Sequence, residues 1–221
     1  MSKRASGVIT LTSDFGLRDP FVGVMKGRIL ARHPDVHIVD LTHEILAHWP
    51  AEAGFWLARS FEYFPPGSVH VAVVDPGVGT ARDILVVESR GHVFLAPDNG
   101  LLAPVLTRDP QAVARRIDSA PLVSLGIARP SATFHGRDIF APLAAELARG
   151  ALTAGALGPV TPQIVPAWVD EPQRTLGRVS GVVITVDHFG NLLTNIDKQL
   201  LEGMMDPLVV AGHLSLPLRR T

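Results

Sequence analysis

The sequence predicts an α/β protein, with a mostly parallel sheet and a smaller β-rich unit at the carboxyl end. Three observations carry that expectation. Two strand-helix units and a third strand alternate through the first third of the chain, the pattern of a parallel sheet with right-handed crossovers. Polar residues (Asp14, Asp40, His43 and Asp75) stand where these strands stop, and parallel sheets bind ligands beyond the carboxyl ends of their strands. The 221 residues are 47% hydrophobic and 19% charged, with 20 Gly and 18 Pro, which describes a loop-rich globular chain and excludes disorder, repeats and collagen.

Val8 to Leu11 is a short β-rich run that stops at Thr12-Ser13-Asp14-Phe15-Gly16. Asp19-Pro20 then supplies an N-cap and a first-turn proline for a helix carrying Phe21, Val24, Met25, Ile29 and Leu30 at helical spacing. A strand from His37 to Asp40 exits through Leu41-Thr42-His43-Glu44, and Pro50 opens a second helix through Phe61. Val69 to Val74 is the third strand. Ile84 to Glu88 and His92 to Ala96 flank an Arg90-Gly91 turn as a hairpin, and a helix follows from Leu101. Another helix runs from Gly136 to Arg149-Gly150, and Val179 to Val186 and Leu208 to Leu216 read as strands of the small unit. The expected divisions are a domain over 1–155, a linker over 156–178 and the small unit over 179–221.

Charge and cysteine content narrow the function. Twenty Lys and Arg against 21 Asp and Glu leave no basic surplus for a phosphate backbone, so nucleic acid is not an expected partner. With no cysteine, disulfides and thiolate chemistry are excluded. The apolar stretch near the amino terminus is too short and interrupted for a signal peptide, and no stretch approaches the ~20 residues of a membrane span, so a cytoplasmic protein without a membrane partner is expected.

Chemistry concentrates in a few segments. In Val73-Val74-Asp75-Pro76-Gly77-Val78-Gly79-Thr80-Ala81-Arg82 a strand ends on a carboxylate and a glycine-rich loop leads to an arginine; it is neither GxxxxGK[ST] nor GxGxxG. Phe134-His135-Gly136-Arg137-Asp138 places a histidine at a helix entrance, where it can act as a base or a positioning group. Asp187-His188-Phe189-Gly190-Asn191-Leu192-Leu193-Thr194-Asn195 offers carboxylate and amide groups to a polar substrate, or serves as turn chemistry. Asp14, Asp40, His43, Asp75, Asp98, His135 and Asp138 also contain enough donors for a metal-dependent hydrolase, although without HExxH spacing. The residues by themselves specify an α/β enzyme with an Asp/Arg/His crevice.

Those segments, with Pro97-Asp98-Asn99-Gly100, resemble in order the S-adenosyl-L-methionine (SAM) hydrolases, also called SAM hydroxide adenosyltransferases, from about Val8 to Asn195. The resemblance implies a Rossmann-like amino-terminal domain, a β-rich carboxyl-terminal domain and a homotrimer with active sites between neighbours. It implies displacement of methionine from ribose C5′ by water or hydroxide, with SAM as the small-molecule substrate and neither cofactor nor metal. By this likeness Asp75, Arg82 and His135 are the catalytic set, Asp14 holds the ribose hydroxyls, and Asp187 and Asn191 contact the methionine and adenine ends. Arg82 would favour hydroxide character, His135 would accept or relay the proton, and Asp75 would orient the pair. The related fluoride and chloride synthases usually have tyrosines at the positions of Asp75 and His135, and the fluoride enzyme has a serine at that of Gly136, so water is the expected nucleophile. Family members usually continue well past the end of this chain. The small domain is therefore expected to be shortened, and a non-catalytic adenosine- or SAM-binding protein is the alternative reading.

Overall fold

The structure is a computed structural model that describes residues 5–127 and 129–218. Residues 1–4, where the stretch read for a leader begins, lie outside the described residues. Packing divides the chain into two units, Met1–Trp168 and Val169–Thr221.

The first unit is built on β1 (Val8–Ser13), β2 (His37–Thr42), β3 (Val69–Val73), β4 (Ile84–Ser89), β5 (His92–Pro97) and β6 (Val113–Arg116), ordered β2-β1-β3-β5-β4-β6. β1 pairs in parallel with both β2 and β3, and β3 with β5; β4 runs antiparallel to β5 and β6. Alternation along the strands creates two cores. Ile9, Leu11, Val69, Val71 and Val73 join Met25 and Ile29 of α1 (Phe21–Leu30) and Leu143 of α5 (Ala141–Ala148) on one face. Ala72 and Val74 join Ala53 and Leu57 of α2 (Pro50–Ser60) and Val105 of α3 (Ala103–Arg108) on the other. Chain direction through β1 thus sends α1 to one face and α2 to the opposite face. Between the carboxyl ends of β1 and β3 the two connections diverge, which opens a crevice there.

Several boundaries differ from the sequence expectation for local reasons. Pro20, expected as the first helical residue, is the N-cap of α1, and no side chain caps that end. The helix expected from Leu101 begins at Ala103, after Gly100 in a left-handed turn with φ of 86°. β6 and the short α4 (Ser119–Ser124) were not anticipated; Val-Ala-Arg-Arg is too short to show a period. Residues 156–168, within the expected linker, are part of the first unit, with Thr161 N donating to Ala114 O and Val165 N to Asp98 Oδ1.

The second unit consists of hairpins. β7 (Gln173–Thr175) pairs with β8 (Arg178–Ser180), β9 (Val183–Val186) with β10 (Leu192–Thr194), and β11 (Leu208–Ala211) with β12 (Leu214–Pro217), all antiparallel. The two long strands expected here are each broken at a glycine. A Cβ on Gly181 would lie 2.4 Å from Asn195 Oδ1, and Gly212 takes a φ of 58° at the β11–β12 turn.

Inside the first unit a polar chain crosses the apolar layer. Thr10 Oγ1 lies 2.8 Å from His70 Nδ1, and His70 Nε2 lies 3.1 Å from His92 Nδ1, with Phe61 and Phe94 against the rings. Burial, reinforced by His92, pushes the His70 imidazole down to about 3, so the folded protein keeps it neutral. The unfolded chain takes up a proton near the ordinary 6.5. Stability should therefore be lost as pH falls from 6.5 towards 3, by up to about 1.4 kcal/mol per pH unit from this ring. Urea unfolding across that window should give a flatter pH dependence for His70→Gln than for the parent; equal slopes would show that the ring titrates alike in both states.

Candidate active site

Asp75 follows β3, and the loop after it turns back on itself. Val78 N donates to Asp75 O at 3.2 Å, while Thr80 N and Oγ1 donate to Gly77 O at 3.2 and 2.7 Å. That turn returns Arg82 to the carboxylate seven residues earlier. Arg82 Nε lies 2.9 and 2.8 Å from the two Asp75 oxygens, and Nη2 contacts Oδ2. The side chains of the pair are only 9% and 4% exposed, so removal of either partner strands a charge away from water.

The same guanidinium reaches the third residue. Arg82 Nη2 is 2.9 Å from His135 Nδ1. An arginine only donates, so Nδ1 accepts, and the neutral ring carries its hydrogen on Nε2. Burial first, and then the Arg82 charge, hold the His135 imidazole below its ordinary value, against the smaller opposing pull of Asp75 and Asp138.

Two glycines make this approach possible. Gly79 has a φ of 79°, and a Cβ there would lie 2.1 Å from Ala132 O, so only glycine lets the Asp75 loop pack against the segment that carries His135. A Cβ on Gly136 would lie 3.0 Å from Met25 Sδ and within 3.3 Å of Phe134 and Phe15. From Gly136 to Phe140 the backbone forms a π-helical turn before α5, the kind of local widening that often marks a functional position. Asp138 ties this entrance together by accepting from Ser131 N at 2.8 Å and from Arg137 at 2.6 and 2.7 Å.

Asp14 follows β1 and shares a cleft of about 300 Å³ with Asp75 and His135, walled by Phe15, Phe134 and His48. Its Oδ2 accepts the backbone N–H of His48 at 2.9 Å. His48 was not singled out from sequence: its contribution is a backbone donor presented from a left-handed φ of 63°, which residue type alone does not announce. Phe15, Phe21 and Phe134 meet edge to face at 5.5–6.1 Å, an apolar cluster that sequence reading also left unassigned. Asn99 braces the strand end before Asp75, its Nδ2 donating to Val74 O at 2.8 Å. A larger groove of about 1080 Å³ runs past the amino ends of β1, β3 and β5, near Gly7, Gly67 and Gly91, and lacks this Asp/Arg/His chain.

Asp187 and Asn191 lie in the second unit and bind each other. Asp187 Oδ2 accepts Asn191 Nδ2 at 2.8 Å, and Oδ1 accepts the N–H groups of Phe189 and Asn191. The side chain of Asn191, then these backbone donors, hold the Asp187 carboxyl below its usual range. Several of the donors considered for a metal are engaged by other groups. Asp75 is taken by Arg82, Asp40 by Lys26, Asp138 by Arg137 and Asp98 by Val165 N, and among the described residues no three His, Asp or Glu side chains are placed to hold an ion together.

Replacing Arg82 removes the cation that opposes protonation of His135 and leaves Asp75 to favour it. The His135 resonance should therefore titrate at higher pH in Arg82→Gln than in the parent when followed by NMR. An unchanged midpoint would mean that burial alone sets the value.

Comparison with known proteins places this arrangement. Residues 9–158 match the family model of the SAM hydroxide adenosyltransferase N-terminal domain. The (R)-S-adenosyl-L-methionine hydrolase of Thermus thermophilus is 39% identical over 95% of this chain and 80% of its own length, and that of Salinispora arenicola is 40% identical over 92% and 77%. Fluorinases are more distant, at 29–30% identity. The crystal structure of an uncharacterized conserved protein from Thermotoga maritima superimposes with a TM-score of 0.84 at 36% identity, covering 95% of this chain and 81% of that one. With its Asp75–Arg82–His135 chain at the carboxyl ends of parallel strands and its match extending over residues 9–158, this chain belongs to the SAM hydroxide adenosyltransferase family.

Proposed function

We propose that this chain hydrolyses (R)-S-adenosyl-L-methionine to adenosine and L-methionine. The observation that carries the reading is the Asp75–Arg82–His135 chain, anchored on a largely buried ion pair and opening into the cleft that also holds Asp14. The configuration at sulfur follows the names of the hydrolases at 37–40% identity.

The chemistry asks for alignment more than for acid assistance, because a sulfonium is already a good leaving group. A water oxygen bonds to C5′ as the C5′–S bond breaks; the electron pair stays on sulfur, giving neutral methionine. Positive charge passes to oxygen, and the water proton is released, so each turnover yields one proton. Asp14 accepts from the ribose hydroxyls and holds C5′ in place. His135 lines the cleft with Nε2–H as the hydrogen it can offer, which assigns it to holding the nucleophilic oxygen. Arg82 fills the Nδ1 acceptor position. On this reading the ring donates to the water in the resting geometry, a different part from the acceptance or relay of a proton expected for His135 from the sequence. Asp75 fixes the guanidinium, and Phe15 and Phe134 line the cleft with apolar surface that excludes bulk water. Asp187 and Asn191 serve the adenine and methionine ends. Gly136 leaves no hydroxyl where the fluoride enzyme presents a serine, which favours water over halide.

Incubation with each sulfur epimer separately, with and without chelator, should release adenosine and methionine in equal amounts from the R epimer alone, unaffected by chelator. Arg82→Ala and His135→Ala should each lower turnover by roughly 100-fold or more. Protonation of His135 would place a hydrogen on Nδ1 facing an arginine N–H, so kcat should hold through neutral pH and fall only below a pH lower than 6.5. Product from neither epimer, with adenosine bound in a titration, would favour a binding protein; loss of activity with chelator would favour a metal hydrolase.

The same reading gives a homotrimer acting in the cytoplasm, with each site between neighbours. Exposed Val186, Phe189, Leu192, Leu208, Val210 and Leu216 in the second unit form apolar surface of the kind that assembly covers. Sedimentation should return three times the mass of the chain; a monomer would defeat the assembly reading.

A further inference from the structure

The proposed reaction leaves a second polar chain, Ser13–His43–Asp40–Lys26, without a role; it is buried at Ser13 and His43 and reaches the surface at Asp40 and Lys26. Ser13 Oγ lies 2.7 Å from His43 Nδ1, His43 Nε2 lies 3.2 Å from Asp40 Oδ1, and Asp40 Oδ2 accepts Lys26 Nζ at 2.5 Å. The Nε2 contact has the distance of an ion pair without the alignment of a hydrogen bond. Burial pushes the Asp40 carboxyl up, but Lys26 and His43 together outweigh it and hold the group below its usual range, as a carboxylate. Serine, histidine and aspartate in this order suggest a hydrolytic triad. The suggestion fails on access: Ser13 is 1% exposed and its oxygen already accepts Phe15 N–H at 3.3 Å.

What the chain does mechanically follows from the ladder around it. On the β2 side the pairing of β1 slips between Leu11 and Thr12, and its last paired residue there is Thr12. On the β3 side pairing ends at Ser13. Asp14 is therefore the first residue that no strand holds. His43 closes that gap. Its Nδ1 bonds Ser13 Oγ on one side of Asp14, and its carbonyl accepts Gly16 N at 2.7 Å two residues beyond. Ile45 N, from the same loop, donates to Ser13 O at 3.4 Å. Asp14 is thus bracketed by contacts to one loop, whose later residue His48 bonds its carboxylate.

We propose that Ser13 and His43, held by Asp40 and Lys26, are positioning residues that aim the Asp14 carboxylate at the substrate's ribose hydroxyls. The inference rests on the reading that Asp14 binds those hydroxyls, and its signature is a coupling to them. A mispositioned Asp14 loses the advantage it gives a substrate with a ribose diol, while an analogue lacking a hydroxyl has little to lose.

The test compares kcat/KM for (R)-S-adenosyl-L-methionine and its 2′-deoxy and 3′-deoxy analogues in the parent, Ser13→Ala, Ser13→Thr, His43→Asn and Asp14→Ala. The parent should prefer the full substrate by roughly 10- to 100-fold over at least one analogue, the range for a hydrogen bond to a charged group, and Asp14→Ala should abolish the preference. Ser13→Ala and His43→Asn should lose most of that preference by slowing the full substrate while leaving the analogue within about twofold, and Ser13→Thr, which keeps the hydroxyl, should restore it. If Ser13→Ala slows all substrates by one factor, or none, the chain is structural only and the proposal is wrong, and Ser13→Ala removes so little volume that it decides the matter even if His43→Asn does not fold. A parent without preference, or one whose preference survives Asp14→Ala, would instead refute the ribose reading and the proposal with it.

Discussion

The buried ion pair between Arg82 and Asp75 is the interaction on which the site depends. A guanidinium with side-chain exposure of 9% is costly to hold away from water, and three contacts to one carboxylate offset that cost. Once fixed, the same group has an N–H left to set the tautomer of His135. One interaction therefore fixes the position of the arginine, adds to burial in disfavouring protonation of the histidine, and goes with the curvature of the Asp75 loop. The glycines follow from it: Gly79 packs where any side chain would strike Ala132 O, and it does so because the loop must turn that tightly to return Arg82 to Asp75.

Topology supplies the place. Because β1 lies between β2 and β3, the helices that follow β1 and precede β3 leave on opposite faces, and Asp14 and Asp75 border the opening between them. Neither carboxylate has a free choice of direction. Asp75 is drawn by arginine, and Asp14 is held by a backbone N–H of His48 whose left-handed conformation exists only in the folded loop. The two groups thus reach one cleft by different means, one electrostatic and the other through backbone geometry.

How far the sequence reveals this depends on where the information sits. Strand ends with polar residues are visible because a buried run gives way abruptly to Asp or His, and Asp14, Asp40, His43 and Asp75 stood out for that reason. The joining of Arg82 to Asp75 could be guessed from seven residues of glycine-rich loop. His48 could not, since its contact uses the main chain, and the partner of His43 could not, since Ser13 and His43 are thirty residues apart and meet only through the parallel pairing of β1 and β2. In the second unit β11 and β12 are exposed along their whole length, so their apolar residues follow no period and the break at Gly212 is not legible in the sequence.

The π-helical turn beginning at Gly136 separates two tasks that many enzymes keep in one loop. In the proposed reaction ribose contact falls to the segment after β1, whereas the atom facing the nucleophile falls to a helix entrance more than a hundred residues later, and Phe15 and Phe134 line the cleft that the two share. Variation at the helix entrance can therefore change which nucleophile is admitted without redesigning the grip on the sugar. Under that reading, such modularity offers a physical route by which one scaffold changes its attacking species while keeping its grip on the sugar.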